Sequence, residues 1–305
     1  MNSIDITDIS DITFDTPKEP RVLLVDGMAL LFRAYYASAY GGTIRRMKDG
    51  TPTNAVYGFM RYFWDAVERF GPTHIVCCWD LSSKTFRAEQ FDQYKANRSE
   101  CPEDLVPQFQ LMRDVMDGFG IPNISVEGFE ADDCIGTLAR LYREEMEVVI
   151  LTGDHDMLQL VHERTKVAIM KKGQGNYAVY CPQTLMEEKQ LTPMQVIDVK
   201  GLMGDPSDNY PGVRGIGEKT ALKLVQQYAS IEGILEHLPE LAKGVRTKIE
   251  ADLDMLHLSR QLARIECEVP VSCHADDCAF SPDRDAVSAV FERLEMNSMI
   301  SYIGM

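Results

Sequence analysis

Short apolar runs separated by longer helical stretches mark the first half of the chain. The runs are Val22-Leu-Leu-Val25, Ile75-Val-Cys-Cys-Trp79 and Val148-Val-Ile-Leu151. Uninterrupted β-prone segments of four or five residues are typical of strands that are buried on both faces, as in parallel sheets. We therefore predict an α/β fold with a mostly parallel central sheet flanked by helices.

An acidic residue stands at the end of each apolar run. Asp26 follows the first, Asp80 the second, and Asp154 and Asp156 the third. Parallel sheets bind ligands at the carboxyl ends of their strands, so these side chains are predicted to meet there.

A further group of acids opens a predicted amphipathic helix. The segment Glu130-Ala-Asp-Asp133 precedes apolar positions at 135, 138, 139 and 142, which share one helical face. Taken singly, Asp132 or Asp133 could cap that helix or complement its dipole. As part of the whole acidic set, Glu130, Asp132 and Asp133 are instead interpreted as site residues.

The segment 201–219 combines two chemical signals. Asp205 and Asp208 offer hard oxygen ligands for a divalent cation, and the glycines of Gly212-Val-Arg-Gly-Ile-Gly-Glu-Lys219 allow backbone N–H groups to approach a phosphate. The alternative is an ordinary loop with a helix cap, since the same residue types build both. The remaining acids favour metal-dependent chemistry on a nucleic acid.

Nine carboxylates are thus predicted to share one cleft. Without compensation they would repel one another and several would be protonated. Oxygen-only ligands with no Cys/His cluster nearby favour Mg²⁺ or Mn²⁺ over zinc. The predicted metal ligands are Asp26, Asp80, Glu130, Asp132, Asp133, Asp154, Asp156, Asp205 and Asp208.

These motifs resemble the 5′ nucleases, a family that includes the N-terminal nuclease domain of bacterial DNA polymerase I, phage 5′ exonucleases and flap endonucleases. The resemblance runs from about Val22 to about Ile265, and its motifs occur in the family's order. They are Val25-Asp-Gly27 with Phe32-Arg-Ala-Tyr35, Trp79-Asp80 through Lys84-Thr-Phe-Arg87, Tyr94-Lys-Ala-Asn-Arg98, Gly128-Phe-Glu-Ala-Asp-Asp133, Thr152-Gly-Asp-His-Asp156, Met203-Gly-Asp-Pro-Ser-Asp-Asn209 and Pro211 to Lys219. One departure is Phe129, where polymerase-type members commonly carry valine.

The resemblance implies a PIN-like nuclease core with a helical arch over the site. The arch is expected at about 82–118, and its catalytic candidates for contact with the scissile phosphate are Lys84, Arg87, Lys95 and Arg98. Basic residues interleaved with aromatic ones suit a single nucleic-acid strand. Spacing alone favours an ordinary amphipathic helix whose charges face water, and the resemblance reverses that preference.

The resemblance also implies a helix–hairpin–helix module that holds the duplex backbone without reading sequence. Its expected DNA contacts are Val213, Arg214, Gly215, Ile216, Gly217 and Lys219, with Lys223 either a phosphate contact or a solvated charge. Arg33, which could also form a structural salt bridge, and Tyr94 complete the DNA-binding candidates. Family members often bind K⁺ through carbonyls of this hairpin.

The implied activity is metal-dependent 5′-3′ exonuclease and structure-specific flap endonuclease action on DNA. Two Mg²⁺ or Mn²⁺ ions would support hydrolysis that leaves a 5′-phosphate and a 3′-hydroxyl. The DNA partner would carry 5′ ends, flaps or nicks, and a separate DNA polymerase or ligase could work alongside a monomeric nuclease. Two rivals stay open, a non-catalytic module that binds branched DNA and a related RNase.

Composition adds a constraint, because a net charge of −16 and a pI near 4.8 are unusual for a DNA-binding protein. Much of the excess negative charge lies in the nine acids and in residues 1–20, so the rest of the chain is close to neutral. The expected organisation is a disordered acidic tail at 1–20, a core at 21–190, the hairpin module at 191–261, and a C-terminal segment at 262–305 that packs back on the core. An edge strand is predicted at Ile265 to Val271.

Eight cysteines fall mostly in predicted strands and helices, and reduced thiols are expected. The group Cys267, Cys273, His274 and Cys278 lacks the short Cys-x-x-Cys spacing of a zinc site. No signal peptide or membrane span is visible, so a cytoplasmic, membrane-free enzyme is expected. With no polymerase portion after Met305, we expect a stand-alone enzyme.

Overall fold

A computed structural model describes residues 19–39 and 44–304, so most of the predicted acidic tail lies outside the described residues. Six strands form one sheet. They are β1 (Arg21–Asp26), β2 (His74–Cys78), β3 (Asn123–Ile124), β4 (Glu147–Thr152), β5 (Thr165–Met170) and β6 (Tyr177–Tyr180). The strand order is β3-β2-β1-β4-β5-β6, with every neighbouring pair parallel except β5 and β6. The predicted α/β class with a mostly parallel sheet is confirmed.

Helices cover both faces of this sheet and continue into a helical region beyond it. Those of the first part are α1 (Gly27–Ala39), α2 (Asn54–Phe70), α3 (Phe86–Gln90), α4 (Val106–Gly118), α5 (Ala131–Tyr142) and α6 (Pro182–Lys189). The later ones are α7 (Pro193–Met203), α8 (Glu218–Tyr228), α9 (Ile231–Glu236), α10 (Lys243–Ala251), α11 (Leu253–Ala263), α12 (Arg284–Arg293) and α13 (Asn297–Tyr302). Short 3-10 helices span His155–Leu160, Leu238–Glu240 and Ala275–Cys278.

The central strand β1 is buried on both faces because its side chains alternate between two apolar layers. Val22 and Leu24 pack on one side with Ile135 of α5. Leu23 and Val25 pack on the other with α1 and α2, where Phe59 and other aromatic side chains are fully buried. At roughly 25 cal/mol per Å² of buried apolar surface, these two layers provide the main drive for folding.

The topology creates a crevice beside β1. From β1 the chain proceeds to β2 and β3 on one side, and from β4 to β5 and β6 on the other. The point where strand order reverses is therefore between β1 and β4. Open α/β sheets bind ligands outside the carboxyl ends of the strands at such a switch point. Asp26 and the residues after Thr152 stand at this position.

The edge strand predicted at Ile265 to Val271 is wrong. These residues have no strand conformation, and side chains of α5 accept two of their backbone amides. Glu266 N donates to Asp133 Oδ1 at 2.8 Å, and Val269 N donates to Thr137 Oγ1 at 3.1 Å. The chain then returns to the core, where Phe291 of α12 lies 5.9 Å from Phe119 between ring centroids.

None of the helices in residues 19–39 and 44–304 combines the length and the apolar character needed to cross a membrane.

Candidate active site

Asp26 and Thr152 join the two strands at the switch point. Asp26 Oδ1 accepts a hydrogen bond from Ala29 N at 2.9 Å, and its Oδ2 accepts one from the Thr152 hydroxyl at 2.7 Å. The same hydroxyl accepts the amide of Asp154 at 3.0 Å. Burial raises the pKa of Asp26 to about 6, and the charges of Asp154 and Asp80 add to the effect. Thr152 thus fixes two acids, a role that sequence reasoning missed although Thr152 lies within a quoted motif.

Asp80 and Asp132 come from neighbouring elements on the same side of the crevice. Asp80 Oδ1 accepts the amide of Ala131, the first residue of α5, at 2.7 Å. Burial raises the pKa of Asp80. Burial also raises the pKa of Asp132 well above its usual value, with Asp26 and Asp154 as the strongest neighbouring charges. The charges of Asp154 and Asp80 thus act on Asp26, and those of Asp26 and Asp154 act on Asp132, which groups these four acids in one crevice.

A second acidic group surrounds Lys200 of α7. Lys200 Nζ lies 2.6 Å from Asp156 Oδ1 and also contacts Asp205 Oδ2. Burial, followed by the charge of Asp154, raises the pKa of Asp156 to about 7. Burial acts in the same direction on Asp205, but hydrogen bonds from Lys200 and Ser207 outweigh it and hold its pKa below the usual value. Sequence reasoning missed Lys200, whose signal was a lysine on the otherwise largely apolar helix α7.

The third part of the site joins the arch segment to Glu130 and Asp208. Lys95 Nζ lies 2.7 Å from Glu130 Oε1 and 4.0 Å from Asp208 Oδ2, and Arg98 Nη2 lies 2.8 Å from Asp208 Oδ1. The Tyr94 hydroxyl is 3.1 Å from carboxylate oxygens of both Glu130 and Asp208. Basic residues of the arch therefore reach the acids of the cleft directly.

Arg87, predicted as a phosphate contact, and Asp133, predicted as a metal ligand, bind each other in the structure, and both roles stay predictions. Both are buried, at 2% and 0% exposure. Arg87 binds Asp133 through two nitrogens at 2.8 and 2.7 Å and also donates to the carbonyls of Leu262 and Arg264. The remaining capacity of Asp133 is taken by the amides of Glu130 and Glu266. This pair connects α3, α5 and the segment after α11.

Two further DNA-binding candidates, Tyr94 and Arg33, also have partners within the protein, and their DNA contacts stay predictions. The ring of Tyr94 is buried among Ile197, Tyr210 and Leu262, so it has no exposed face for a base. Arg33 donates to the carbonyls of Met170 and Lys171 and lies over the ring of Tyr62. Arg33 therefore ties α1 to the end of β5, and its partners are carbonyls instead of the acid of a salt bridge.

Lys84 differs from the other arch candidates. It is exposed, and the described residues show only a backbone hydrogen bond from its amide to Ser82 Oγ at 3.2 Å. Lys84 stays a prediction as a phosphate contact. Lys95 and Arg98 also stay predictions, since a phosphate would have to share them with Glu130 and Asp208.

Several amides of the hairpin between α7 and α8 have acceptors within the protein. Val213 N donates to Leu202 O, Arg214 N to Asp252 Oδ2, and Ile216 N to Val213 O. Val213 and Ile216 are also buried, and their DNA contact stays a prediction. Arg214, Gly215, Gly217 and Lys219 are exposed.

The hairpin carbonyl of Gly215 already has a cationic partner. Gly215 adopts a φ of +77°, a conformation that glycine tolerates, and its carbonyl accepts from Lys248 Nζ at 2.9 Å.

The acids do not form a finished metal cage. Within residues 19–39 and 44–304, no three His, Cys, Asp or Glu side chains are close enough to enclose an ion as they stand. Their chemistry nevertheless fits a hard divalent cation, because the donors are carboxylate oxygens. Burial raises the pKa values of Asp26, Asp80, Asp132 and Asp156, and neighbouring carboxylates add to the effect, so the lysine and arginine side chains nearby do not fully compensate the buried charge.

An acidic crevice at the switch point of a parallel sheet, approached by basic side chains, defines the class as an α/β nuclease. The chain belongs to the 5′-3′ exonuclease family. The family's N-terminal resolvase-like domain matches residues 21–190, and its C-terminal SAM fold matches residues 191–286.

Curated relatives agree with this assignment. The 5′-3′ exonuclease of Bacillus subtilis (strain 168) is 48% identical over 279 residues, covering 92% of this chain and 94% of the relative. DNA polymerase I of Bacillus caldotenax is 39% identical over 284 residues, covering 92% of this chain but 32% of the polymerase. The chain therefore spans about one third of such polymerase relatives and nearly all of the exonuclease.

Solved structures show the same fold. T5 5′-exonuclease with bound zinc has a TM-score of 0.66 at 20% identity, covering 93% of this chain and 98% of that one. The flap endonuclease of bacteriophage T5, in a complex with DNA and metal ions, has a TM-score of 0.64 at 20% identity, with 93% and 97% covered. The catalytic core of Rad2 with a DNA substrate has a TM-score of 0.59 at 15% identity, with 97% and 93% covered.

Proposed function

We propose that this 5′-3′ exonuclease hydrolyses DNA phosphodiesters near 5′ ends, including flaps, with two divalent cations, Mg²⁺ or Mn²⁺. The observation that carries the proposal is the meeting of acids from four separate segments at one switch point, with raised pKa values. Divalent cations would supply Lewis acidity for the attacking water and the leaving oxygen. The family relationship and the metal ions in the T5 structures support the proposal.

The acids divide into two sets around the crevice. We assign Asp26, Asp80, Glu130, Asp132, Asp154 and Asp156 to the first cation and its surroundings, and Asp205 and Asp208 mainly to the second. Asp154 is exposed, and its Oδ1 accepts the amide of Asp156 at 2.8 Å. It therefore stands between the two sets. Lys200 would have to move, because its ammonium occupies oxygens of Asp156 and Asp205.

The basic side chains would hold and orient the DNA. Lys84, Lys95 and Arg98 lie on the arch side of the acids and are positioned to contact the phosphate whose ester bond is cleaved. Arg214, Lys219 and Lys223 would contact duplex phosphates, which gives affinity without sequence preference. A K⁺ ion at the hairpin would compete with the Lys248 ammonium for the Gly215 carbonyl.

Labelled DNA substrates test this proposal. Flap, nicked and blunt substrates with a 5′ label are incubated with the protein in Mg²⁺ or in EDTA, and the products are sized. We expect cleavage in Mg²⁺ only, with a mononucleotide for exonuclease action and one branch-point fragment for flap cutting. Asp154→Asn should lower cleavage by at least 100-fold while DNA binding remains measurable, and Glu163→Gln, which changes an exposed acid away from the crevice, should cleave normally.

The same assay separates the rival functions. Binding of branched DNA with no product in Mg²⁺ would show a non-catalytic module, and faster cleavage of the matching RNA would show an RNase. Either outcome would contradict the proposal. We further propose that the protein acts as a cytoplasmic monomer alongside a DNA polymerase or ligase, since the sequence that it matches in DNA polymerase I belongs to a longer polymerase chain.

A further inference from the structure

Asp208 is an acid of the crevice whose oxygens already have partners in the arch. Arg98 Nη2 lies 2.8 Å from its Oδ1, and the Tyr94 hydroxyl donates to its Oδ2 at 3.1 Å. Lys95 Nζ lies 4.0 Å from the same Oδ2. The side chain of Asp208 is only 15% exposed, so little of it is open to solvent besides these contacts. A cation that used Asp208 as a ligand would have to displace at least one of these partners.

The backbone of the arch takes part in the same contact. Lys95 N donates to Asp208 O at 2.9 Å, and Lys95 has a φ of +54°, a left-handed conformation that is uncommon for a residue with a side chain. The ammonium of Lys95 reaches Glu130 Oε1 at 2.7 Å. Backbone strain of this kind persists where surrounding contacts hold it, often at sites that change conformation. The strained residue of the arch thus lies at its contact with the two acids.

A cavity of about 910 Å³ opens beside these contacts, which is within the range of about 300–1,000 Å³ that small-ligand sites occupy. Its wall includes Lys95 and Arg98 of the arch, Glu130 of the crevice and the exposed side chain of Val106. A nucleotide in this space would bring a phosphate to the two cations. Phosphate oxygens accept bonds from a guanidinium as carboxylate oxygens do, so phosphate and Asp208 are alternative partners of Arg98.

We propose that the arch couples DNA binding to binding of the second cation by an exchange of partners, an inference that rests on the proposed nuclease function. Without DNA, Arg98 and Lys95 neutralise Asp208 and Glu130. When a DNA phosphate takes the two basic side chains, Asp208 loses its ion pair and its oxygens become available to a divalent cation. The protein therefore assembles its second ion site mainly when a strand lies in the crevice.

This coupling is reciprocal by thermodynamic necessity. If DNA raises the affinity for the second cation by a given factor, that cation raises the affinity for DNA by the same factor. Coupling between two binding sites in proteins is typically about 5- to 150-fold. Because one carboxylate changes its partner here, we expect a factor of about 5 to 50, which binding measurements resolve.

Calorimetric titration of the full-length protein with Mn²⁺ tests the proposal. The titration is done with and without a flap DNA in which a methylene replaces the 3′-bridging oxygen of the linkages near the junction, which keeps the phosphate charges and prevents hydrolysis. We expect the DNA to tighten the weaker Mn²⁺ site of the parent protein by about 5- to 50-fold. Arg98→Met should tighten that site without DNA and reduce the gain from DNA to less than about threefold. Arg284→Met, which changes an exposed arginine of α12, is the matched control and should behave like the parent protein.

The outcomes of this titration separate the coupling from the nuclease function. If the parent protein cleaves ordinary flap DNA in Mg²⁺ but DNA leaves both Mn²⁺ affinities unchanged, the coupling is wrong and the proposed function stands. An equal gain from DNA in Arg98→Met and in the parent protein would also overturn the coupling. If ordinary DNA is not cleaved at all, the proposed function fails and the coupling fails with it.

DNA affinity in EDTA provides a second readout, which involves no metal ion. Asp208→Asn removes the carboxylate that competes with phosphate for Arg98, so flap DNA should bind about 5- to 20-fold more tightly. Asp92→Asn is the matched control, because Asp92 is exposed and lines the same cavity. It removes the same charge and should raise the affinity by less than about twofold. Equal gains in the two variants would show a general effect of charge and would contradict the exchange of partners.

Discussion

The four basic residues of the arch differ in burial, and this difference separates a structural side chain from a candidate phosphate contact. Arg87 is enclosed by Asp133, Glu130 and two carbonyls, whereas Lys84 is exposed. Both belong to the same sequence motif, and neither type nor spacing distinguishes a structural arginine from a phosphate contact. The distinction depends on Leu262 and Arg264, which are about 175 residues distant along the chain.

Arg87→Met should destabilise the protein by about 3–5 kcal/mol, because it leaves Asp133 buried without its cation. Lys84→Met should change the free energy of unfolding by less than about 0.5 kcal/mol and should lower turnover instead. Urea unfolding followed by circular dichroism measures the first effect, and steady-state cleavage of a flap substrate measures the second. Equal stability of both variants would contradict the distinction between a structural Arg87 and an exposed Lys84.

Lys200 supports a different prediction, since its ammonium neutralises Asp156 and Asp205 in place of a metal ion. Lys200→Met removes that competing charge, so Mn²⁺ should bind about 3- to 10-fold more tightly. Isothermal titration of the protein without DNA measures the dissociation constant. Lys223→Met, on the exposed hairpin side, is the control and should leave it unchanged. Weaker binding in the Lys200 variant would show that this ammonium does not compete with the ion.

Among the contacts between structural elements, two asparagine side chains hydrogen-bond the arch to the loop that carries Asp205 and Asp208. Asn97 Nδ2 donates to Pro206 O at 2.8 Å, and Asn209 Nδ2 donates to Gln93 O at 2.7 Å. Between them, Lys95 N donates to Asp208 O at 2.9 Å. Three hydrogen bonds thus join residues 93–98 to residues 206–209, although more than 100 residues separate the two segments in sequence. The position of Asp208 therefore depends on the arch.

Asn209→Gly should loosen this junction without introducing backbone strain. Asn209 has a φ of +61°, which glycine adopts freely, so the variant removes only the side-chain hydrogen bond. At about 1 kcal/mol for one bond, amide exchange in residues 93–98 should accelerate about fivefold. Hydrogen exchange with mass spectrometry measures this. Asn176→Gly, which changes a distant hairpin, should leave amide exchange in residues 93–98 unaltered. If this control variant also accelerated exchange in residues 93–98, the cause would be a global loss of stability.

The parts of the fold that were predictable from sequence are those with local signals. The apolar runs ending at Asp26, Asp80 and Thr152 gave β1, β2 and β4, because strands buried on both faces need continuous apolar residues. The edge strand at Ile265 to Val271 was wrong, because side chains such as Asp133 and Thr137 of α5 accept amides of this segment in place of a neighbouring strand, and no local pattern encodes such partners. The acids of the crevice were found as residue types, but their partners Lys200 and Thr152 required the three-dimensional structure.

At the scale of the whole molecule, the acids that the activity needs oppose the stability of the fold. Acids from β1, β4, α5 and the loop after α7 converge because the topology places their segments at one switch point. Burial raises the pKa of Asp26 to about 6, so its ionised form opposes folding at neutral pH. The apolar layers on both sides of the sheet must supply the compensating free energy.

Asp26→Asn should therefore stabilise the protein in EDTA while abolishing cleavage. The side-chain oxygen can still accept the Ala29 amide, and the charge is gone. At pH 7.5, above both the folded pKa of about 6 and the unfolded value near 3.8, the gain should be about 1–3 kcal/mol. The folded state of the parent protein holds its proton longer than the unfolded state, so the gain should shrink as the pH falls through 6 towards 4.5. Thermal unfolding at several pH values measures it.

Mg²⁺ should reverse the order of thermal stability of the parent protein and the Asp26→Asn variant. An ion that binds only the folded state at 100 times its dissociation constant stabilises by about 2.7 kcal/mol, and Asp26→Asn should forfeit most of that gain. The parent protein should then unfold at the higher temperature, whereas Glu163→Gln should follow the parent in both EDTA and Mg²⁺. If the asparagine variant were less stable in EDTA, the crevice would not carry uncompensated repulsion. If Mg²⁺ stabilised parent and variant equally, Asp26 would not belong to the site of the ion.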